Sequence, residues 1–250
     1  MTLMIEQLLC FMMVLTRISA FFLIVPIFGW KAIPARIKVA MTLLIALFFS
    51  IIIPFRIDAE RVSALEAILL LANEATYGLA LGLIVNVLFA TVKFSGRFIE
   101  RQMGMAMANV LDPLTGERAQ PLSSLFEMIF IIIFLCANGH HMFLLIISRS
   151  YEAFPAGSIP TIAVLSDGVI KAGSAMFIAG LKIAAPMLAA FILLLIVLAV
   201  FARVVPEMNI LFISLPMRIG MGLLMTVIFL PLIGSFVTEF ADLMNKILPV

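Results

Sequence analysis

Charge is scarce in this sequence. Asp, Glu, Lys and Arg together make up 12% of its 250 residues, where soluble domains carry about 25%. That scarcity excludes an ordinary soluble globular domain. A cationic excess is missing too. The formal net charge is +2, and there is no basic block, zinc-finger spacing or aromatic-basic stripe, so nucleic acid is excluded as a partner. Cysteine is nearly absent. Cys10 and Cys136 lie in separate apolar segments without a C-x-x-C pairing and read as packing residues. Also missing are G-x-S-x-G, H-E-x-x-H, a Walker A loop and a dinucleotide fingerprint. The chain therefore does not read as an enzyme, and nothing in it asks for a cofactor. His140 and His141 are neighbours, which project ~100° apart on a helix and chelate one metal poorly. No metal site is expected.

What is there is hydrocarbon. Hydrophobic residues make up 64% of the chain, with a mean hydropathy of +1.26. The fold class expected is all-α, a polytopic membrane protein in one domain. A span needs ~20 apolar residues. Segments at Leu3 to Phe28, Ile37 to Ile53, about Val62 to Phe98, Leu125 to Ile147, about Val169 to Ala202 and Met208 towards Phe240 give about six helices. Glu6 stands where a signal peptide would carry Lys or Arg, so residues 3–28 read as a retained first span. The third and fifth segments exceed what a bilayer requires, and they must tilt, kink or leave it. Pro186, Pro216 and Pro231 fall inside the later segments. Lys31, Arg36 and Lys38 in one connection, and Lys93, Arg97, Arg101 and Arg118 in another, place the N-terminus outside in a simple six-span model.

Five ionisable residues sit where charge is expensive: Arg17, Glu74, Glu127, Lys182 and Arg218. Such groups face a bundle interior, a cavity or a partner chain. Arg17 needs a carboxylate or backbone carbonyls, and Glu74 is one partner within the chain. Structural pairing is the common fate of Glu74 and Glu127, with proton relay as the sharper alternative. Gly78 and Gly82, in TYGLALG, form a small-xxx-small pair that admits a close helix, from this chain or from another subunit.

The stretch from Gly96 to Leu125 breaks the apolar pattern. It is too polar and too rich in turn residues for a lipid-facing helix, and irregular backbone at membrane depth requires burial in protein or a water-lined cavity. Met103, Met105 and Met107 alternate with small residues and run into a loop. Methionine is unbranched and conforms to irregular surfaces. The stripe reads either as core filling or as a deformable apolar seal that closes a pore.

Four regions resemble the FliR family of flagellar biosynthesis proteins and their counterparts in type III secretion export gates. They are TRISAFFLIVPIFGWKAIPARIKVAMTLLIALFFSIIIP; GRFIERQMGMAMANVLDP; NGHHMFLL with FPAGSIP; and KIAAPMLAAFILLLIVLAVFARVVPEMNILFISLPMRIGMGLLM. The match covers nearly the whole chain in length and segment order.

The resemblance implies a non-enzymatic core subunit of an export gate. It would assemble with FliP and FliQ, with FlhB associated, in the lipid of the bacterial inner membrane at the flagellar basal body, and pass unfolded flagellar subunits. It further implies a FliP-like part over about 1–165 and a FliQ-like helical hairpin over about 166–250. A plug loop is implied near 103–121, carried by Met103, Gly104, Met105, Met107, Asn109, Asp112, Pro113 and Gly116. Arg203, Pro206 and Glu207, in the hairpin turn, are implied to make polar contacts between subunits, and the family's helices to stand largely above the ordinary membrane plane. A secondary transporter of a small solute or ion, built on the same charges and Gly/Pro breaks, is the competing reading.

Overall fold

The computed structural model describes residues 2–29, 33–53, 63–105, 120–158, 162–205 and 210–247. Every regular element among them is helical. They are α1 (Thr2–Ile24), α2 (Pro26–Gly29), α3 (Ala35–Ile52), α4 (Ala64–Met103), α5 (Pro121–Cys136), α6 (Gly139–Ala153), α7 (Ile162–Val204) and α8 (Ile210–Ile247). Four described helices are long and apolar enough to cross a membrane, or up to six spans if each broken pair counts as one. The chain is thus a polytopic membrane protein.

Local chemistry sets the helix ends. Ser63 and Glu66 form a reciprocal capping box at the start of α4. The Ser63 amide donates to Glu66 Oε2 at 2.8 Å, and the Glu66 amide donates to Ser63 Oγ at 3.3 Å. Gly104, at φ +78°, ends the same helix in the left-handed region that glycine adopts freely. Pro121 opens α5 at a position where its missing amide hydrogen costs nothing. The fourth apolar segment is broken at Asn138, whose φ of 58° stops α5 and starts α6.

At 40 and 43 residues, α4 and α7 are about 60 and 65 Å long, twice a hydrocarbon core of ~30 Å. The helix of the third apolar segment, α4, also runs further than its hydropathy indicates. Lys93, Arg97 and Arg101, assigned to a connection in the six-span count, lie on α4 itself, so the charge bias that oriented the chain is smaller than it looked.

The chain forms two compact units. The first comprises Met1–Leu88, Asn138–Ser174 and Ala241–Val250, and the second Phe89–Ala137 and Ala175–Phe240. In the first unit, α1 lies against α4 through the two glycines. A Cβ on Gly78 would stand 2.3 Å from the Arg17 carbonyl oxygen, and one on Gly82 would stand 2.9 Å from that of Phe21. The small-xxx-small pair therefore serves contact within the chain. Asn86 Nδ2 donates to the carbonyl of Ile24 at 2.8 Å, satisfying an open acceptor at the end of α1. The second unit is built on phenylalanine. Phe89 meets Phe130, Phe134 and Phe240 edge-on, with centroids 5.4, 5.1 and 5.0 Å apart, a geometry worth ~0.5–1.5 kcal/mol per pair beyond area.

Candidate functional site

Two constellations stand out, one in each unit. In the first, Arg17 and Glu74 are both fully buried. Arg17 Nε donates to Glu74 Oε2 at 2.6 Å. Its Nη1 donates to the carbonyl and hydroxyl oxygens of Ser150 at 3.2 and 3.3 Å, and its Nη2 to the carbonyl of Phe154 at 3.1 Å. The guanidinium also lies over the rings of Tyr151 at 3.9 Å and Tyr77 at 4.8 Å. The other Glu74 oxygen accepts the Gly157 amide at 2.9 Å. Gly157 has φ +83°, which turns its amide towards the carboxylate without Cβ strain. Tyr77 Oη and Ser158 Oγ close the edge at 3.2 Å. One ion pair thus joins α1, α4, α6 and the FPAGS turn. A buried charge pair is tolerated when hydrogen bonds satisfy its remaining donors and acceptors, and this one is densely bonded.

The second constellation frames residues 106–119. Glu100, near the end of α4, was not singled out by sequence. Its Oε1 accepts the amides of Leu122 and Ser123 at 2.6 and 3.0 Å, and its Oε2 accepts Ser123 Oγ at 2.8 Å. A carboxylate from one helix therefore caps the N-terminus of the next, where orphan amides and the helix dipole favour negative charge. One turn earlier, a Cβ on Gly96 would lie 2.7 Å from Ser123 Cα. Arg97 Nε donates to Gln120 Oε1 at 2.8 Å. At the last residue of α4, Met103 is buried, and a Cβ on Gly222 of α8 would stand 2.5 Å from its Cγ. Gly104 faces Leu215 of the same helix.

The remaining expected residues are placed as follows. Met105 is half-buried, while Met107, Asn109, Asp112, Pro113 and Gly116 lie outside the described residues. Glu127 pairs with Lys93 at 2.8 Å, and Lys182 with Glu239 at 2.6 Å. Lys182 is 68% and Glu239 45% exposed, although α7 around them is apolar. Arg218, one helical turn before Gly222, has a buried Nε with no hydrogen-bond partner among the described residues. Arg203 is exposed in the last turn of α7, and Pro206 and Glu207 lie outside the described residues. Cys10 is buried, with Sγ 3.9 Å from the Ser50 carbonyl. Cys136 is exposed, so it is not the packing residue its apolar surroundings suggested. The rings of His140 and His141 lie against each other at 4.3 Å. Among the described residues no group of three or more His, Cys, Asp or Glu gathers as metal ligands would.

Set beside known proteins, the chain matches the family model described as "Bacterial export proteins, family 1" over residues 8–244. It is 33% identical over 226 residues to a flagellar biosynthetic protein FliR of Bacillus subtilis, covering 87% of this chain and 85% of that one. Proteins of the same name from Pectobacterium carotovorum and Escherichia coli are 28% and 27% identical, over 93% and 92% of this chain and 90% and 88% of theirs.

Proposed function

The chain belongs to family 1 of the bacterial export proteins, and from that premise we propose that it is a core subunit of the flagellar type III protein export gate. Its relatives are flagellar export proteins, which makes its role structural or transport, and it performs no covalent chemistry. It assembles with FliP and FliQ, with FlhB alongside, in the inner membrane at the basal body. Unfolded flagellar subunits pass through the resulting channel. Residues about 1–165 correspond to FliP and 166–250 to a FliQ hairpin, and the stretch near 103–121 plugs the closed pore.

The observation that carries this reading is the frame around residues 106–119. Glu100 and Gly96 hold the start of α5 against α4, and Gly222 receives Met103. A plug must be displaceable while its tethers stay fixed, and both ends of this segment are attached to packed helices. Soft methionines at its start suit an apolar seal that excludes ions without reading sequence. The pair Lys182–Glu239 adds support. A charge pair so exposed on apolar helices is costly against lipid and is at home against another subunit. Arg203, Glu207 and Arg218 are read in the same way, as contacts to neighbouring subunits.

The test is native mass spectrometry of the full chain, purified in mild detergent after co-expression with FliP, FliQ and FlhB from the same bacterium. One copy of this chain with multiple copies of FliP and FliQ is the expected species. A stable monomer or homodimer across detergents would instead favour a self-contained transporter.

A further inference from the structure

Arg218 belongs to the second unit and sits in α8, about 12 Å along an otherwise apolar stretch of helix. Its Nε is buried and donates to nothing among the described residues. A buried donor without an acceptor is costly, and each one in a native protein calls for a cause. Leu215, Arg218 and Gly222 follow the three- and four-residue spacing of one helix face. Leu215 stands against Gly104 and Gly222 against Met103, so Arg218 lies between two contacts to the end of α4. No carbonyl there accepts from its Nε. The described carboxylates of the second unit are Glu100, Glu127 and Glu239, and each is already engaged. Glu100 takes three hydrogen bonds from the start of α5, Glu127 holds Lys93, and Glu239 holds Lys182.

On either side of Arg218 the same helix exposes Phe212, Met217 and Leu224. Aromatic residues, methionine and arginine are the types that protein interfaces concentrate. Hydrocarbon tails would cover the apolar side chains and still leave the guanidinium without an acceptor. A formal charge enclosed in an apolar interface needs a counter-charge as well as hydrogen bonds. The planar guanidinium fork matches a carboxylate, which takes two parallel hydrogen bonds from it. We propose that Arg218 receives an Asp or Glu side chain from an apolar helix of a neighbouring subunit, through Nε and one Nη. This rests on the export-gate reading above and adds the chemistry of the contact. The partner helix carries one carboxylate at the depth of Arg218, among apolar side chains that cover Phe212, Met217 and Leu224.

Two measurements on the full-length protein test the contact, and a partner's carboxylate moves them in opposite directions. In the isolated chain, in mild detergent, Arg218→Leu removes an orphaned donor and should raise the melting temperature by about 2–4 °C. In the complex formed with FliP and FliQ, the same variant strands the partner's carboxylate. Retention of this chain should weaken about thirtyfold or more, read by native mass spectrometry over a dilution series. A lower melting temperature in the isolated chain would overturn the proposal in favour of an acceptor within the chain. Arg218→Lys keeps the charge, and Arg218→Gln keeps only a donor. A carboxylate partner therefore ranks retention with Arg218→Lys above Arg218→Gln and Arg218→Glu lowest. Equal retention in Arg218→Lys and Arg218→Gln would overturn it in favour of a backbone carbonyl. Loss of bound phospholipid instead of subunits from the Arg218→Leu complex would overturn it in favour of a lipid phosphate. Unchanged retention in Arg218→Leu would overturn the contact and leave the export-gate reading intact. No complex with the unaltered protein would overturn that reading and the contact together.

Discussion

Arg17 and Glu74, 57 residues apart in the chain, meet at 2.6 Å with both side chains withdrawn from the surface. Their remaining donors and acceptors are used by Ser150, Phe154 and Gly157. The ion pair is therefore less a bond between two helices than the centre of a clasp that also fixes the FPAGS turn.

Glu74→Ala should destabilise the protein by about 3–5 kcal/mol, the usual cost of stranding one half of a buried pair. Replacing both halves, in Arg17→Met with Glu74→Leu, should cost clearly less than the sum of the single changes, because no unpaired charge remains. Thermal unfolding of the full chain in mild detergent reads both. Additive single effects would mean that the two groups are not energetically coupled.

Glycines that line an approach should differ from those that do not. Gly78→Ala puts a methyl group 2.3 Å from a backbone oxygen that cannot rotate away, and it should cost about 1–3 kcal/mol. Gly173→Ala meets nothing within 4 Å and gains helix propensity of up to ~1 kcal/mol. If the two variants melt together, the α1–α4 contact is not as close as described.

Hydropathy alone located the apolar helices, because each span must bury its own backbone polarity and so announces itself as a long run. The break within the fourth segment lies at Asn138, whose residue type is among the few that tolerate left-handed backbone. The end of α4 was misplaced because charge was treated as a boundary. Lys93, Arg97 and Glu100 instead find Glu127, Gln120 and the start of α5. Glu100 went unnoticed because its role depends on which helix start returns to it, and that is a property of the fold. Glu74 was named as one partner for Arg17, but one sequence holds several carboxylates and no distances. Met103 belonged to a stripe that read equally as core or as seal. What decides its surroundings is Gly222, on another helix, and no local pattern links the two.

Glu100→Ala should leave the Leu122 and Ser123 amides without their acceptor, at about 1–3 kcal/mol for the stranded donors. The clearer readout is local. Trypsin cleavage after Arg118 should accelerate severalfold in the folded protein, because the start of α5 frays when its cap is lost. Glu100→Gln keeps an acceptor and should lie between the two. Unchanged cleavage in Glu100→Ala would show that Glu100 does not hold the start of α5 in place.

Gly222→Ala should drive a methyl group into Met103, whose Cγ and Sδ would stand 2.5 and 2.6 Å from it. Methionine is flexible, so part of the strain is relieved by rotation, and the expected cost is about 1–2 kcal/mol. Adding Met103→Ala should restore part of that loss, since the new methyl group then occupies space the thioether has left. A double variant no better than the worse single one would show that Met103 does not sit in this notch.

The plug reading is tested most directly by shortening the tethered segment while leaving its anchors whole. Deleting residues 106–117 keeps Glu100, Met103, Gln120 and Ser123, so the assembled complex should still form. With Met107, Asp112 and Pro113 gone, the closed pore loses an apolar obstruction, and an opened constriction rewets and conducts ions. Ion conductance of the assembled complex in planar bilayers should rise severalfold over that of the intact complex. The control is Met105→Ala, which trims one soft side chain and should raise the leak by less. A complex that assembles normally and conducts no more than before would show that the segment does not close the pore. Membership of the export apparatus would stand in that case, and the seal would have to be sought in another subunit. A deletion that prevents assembly would instead show that these residues hold subunits together, and Met105→Ala, which leaves the segment intact, would then decide between seal and scaffold.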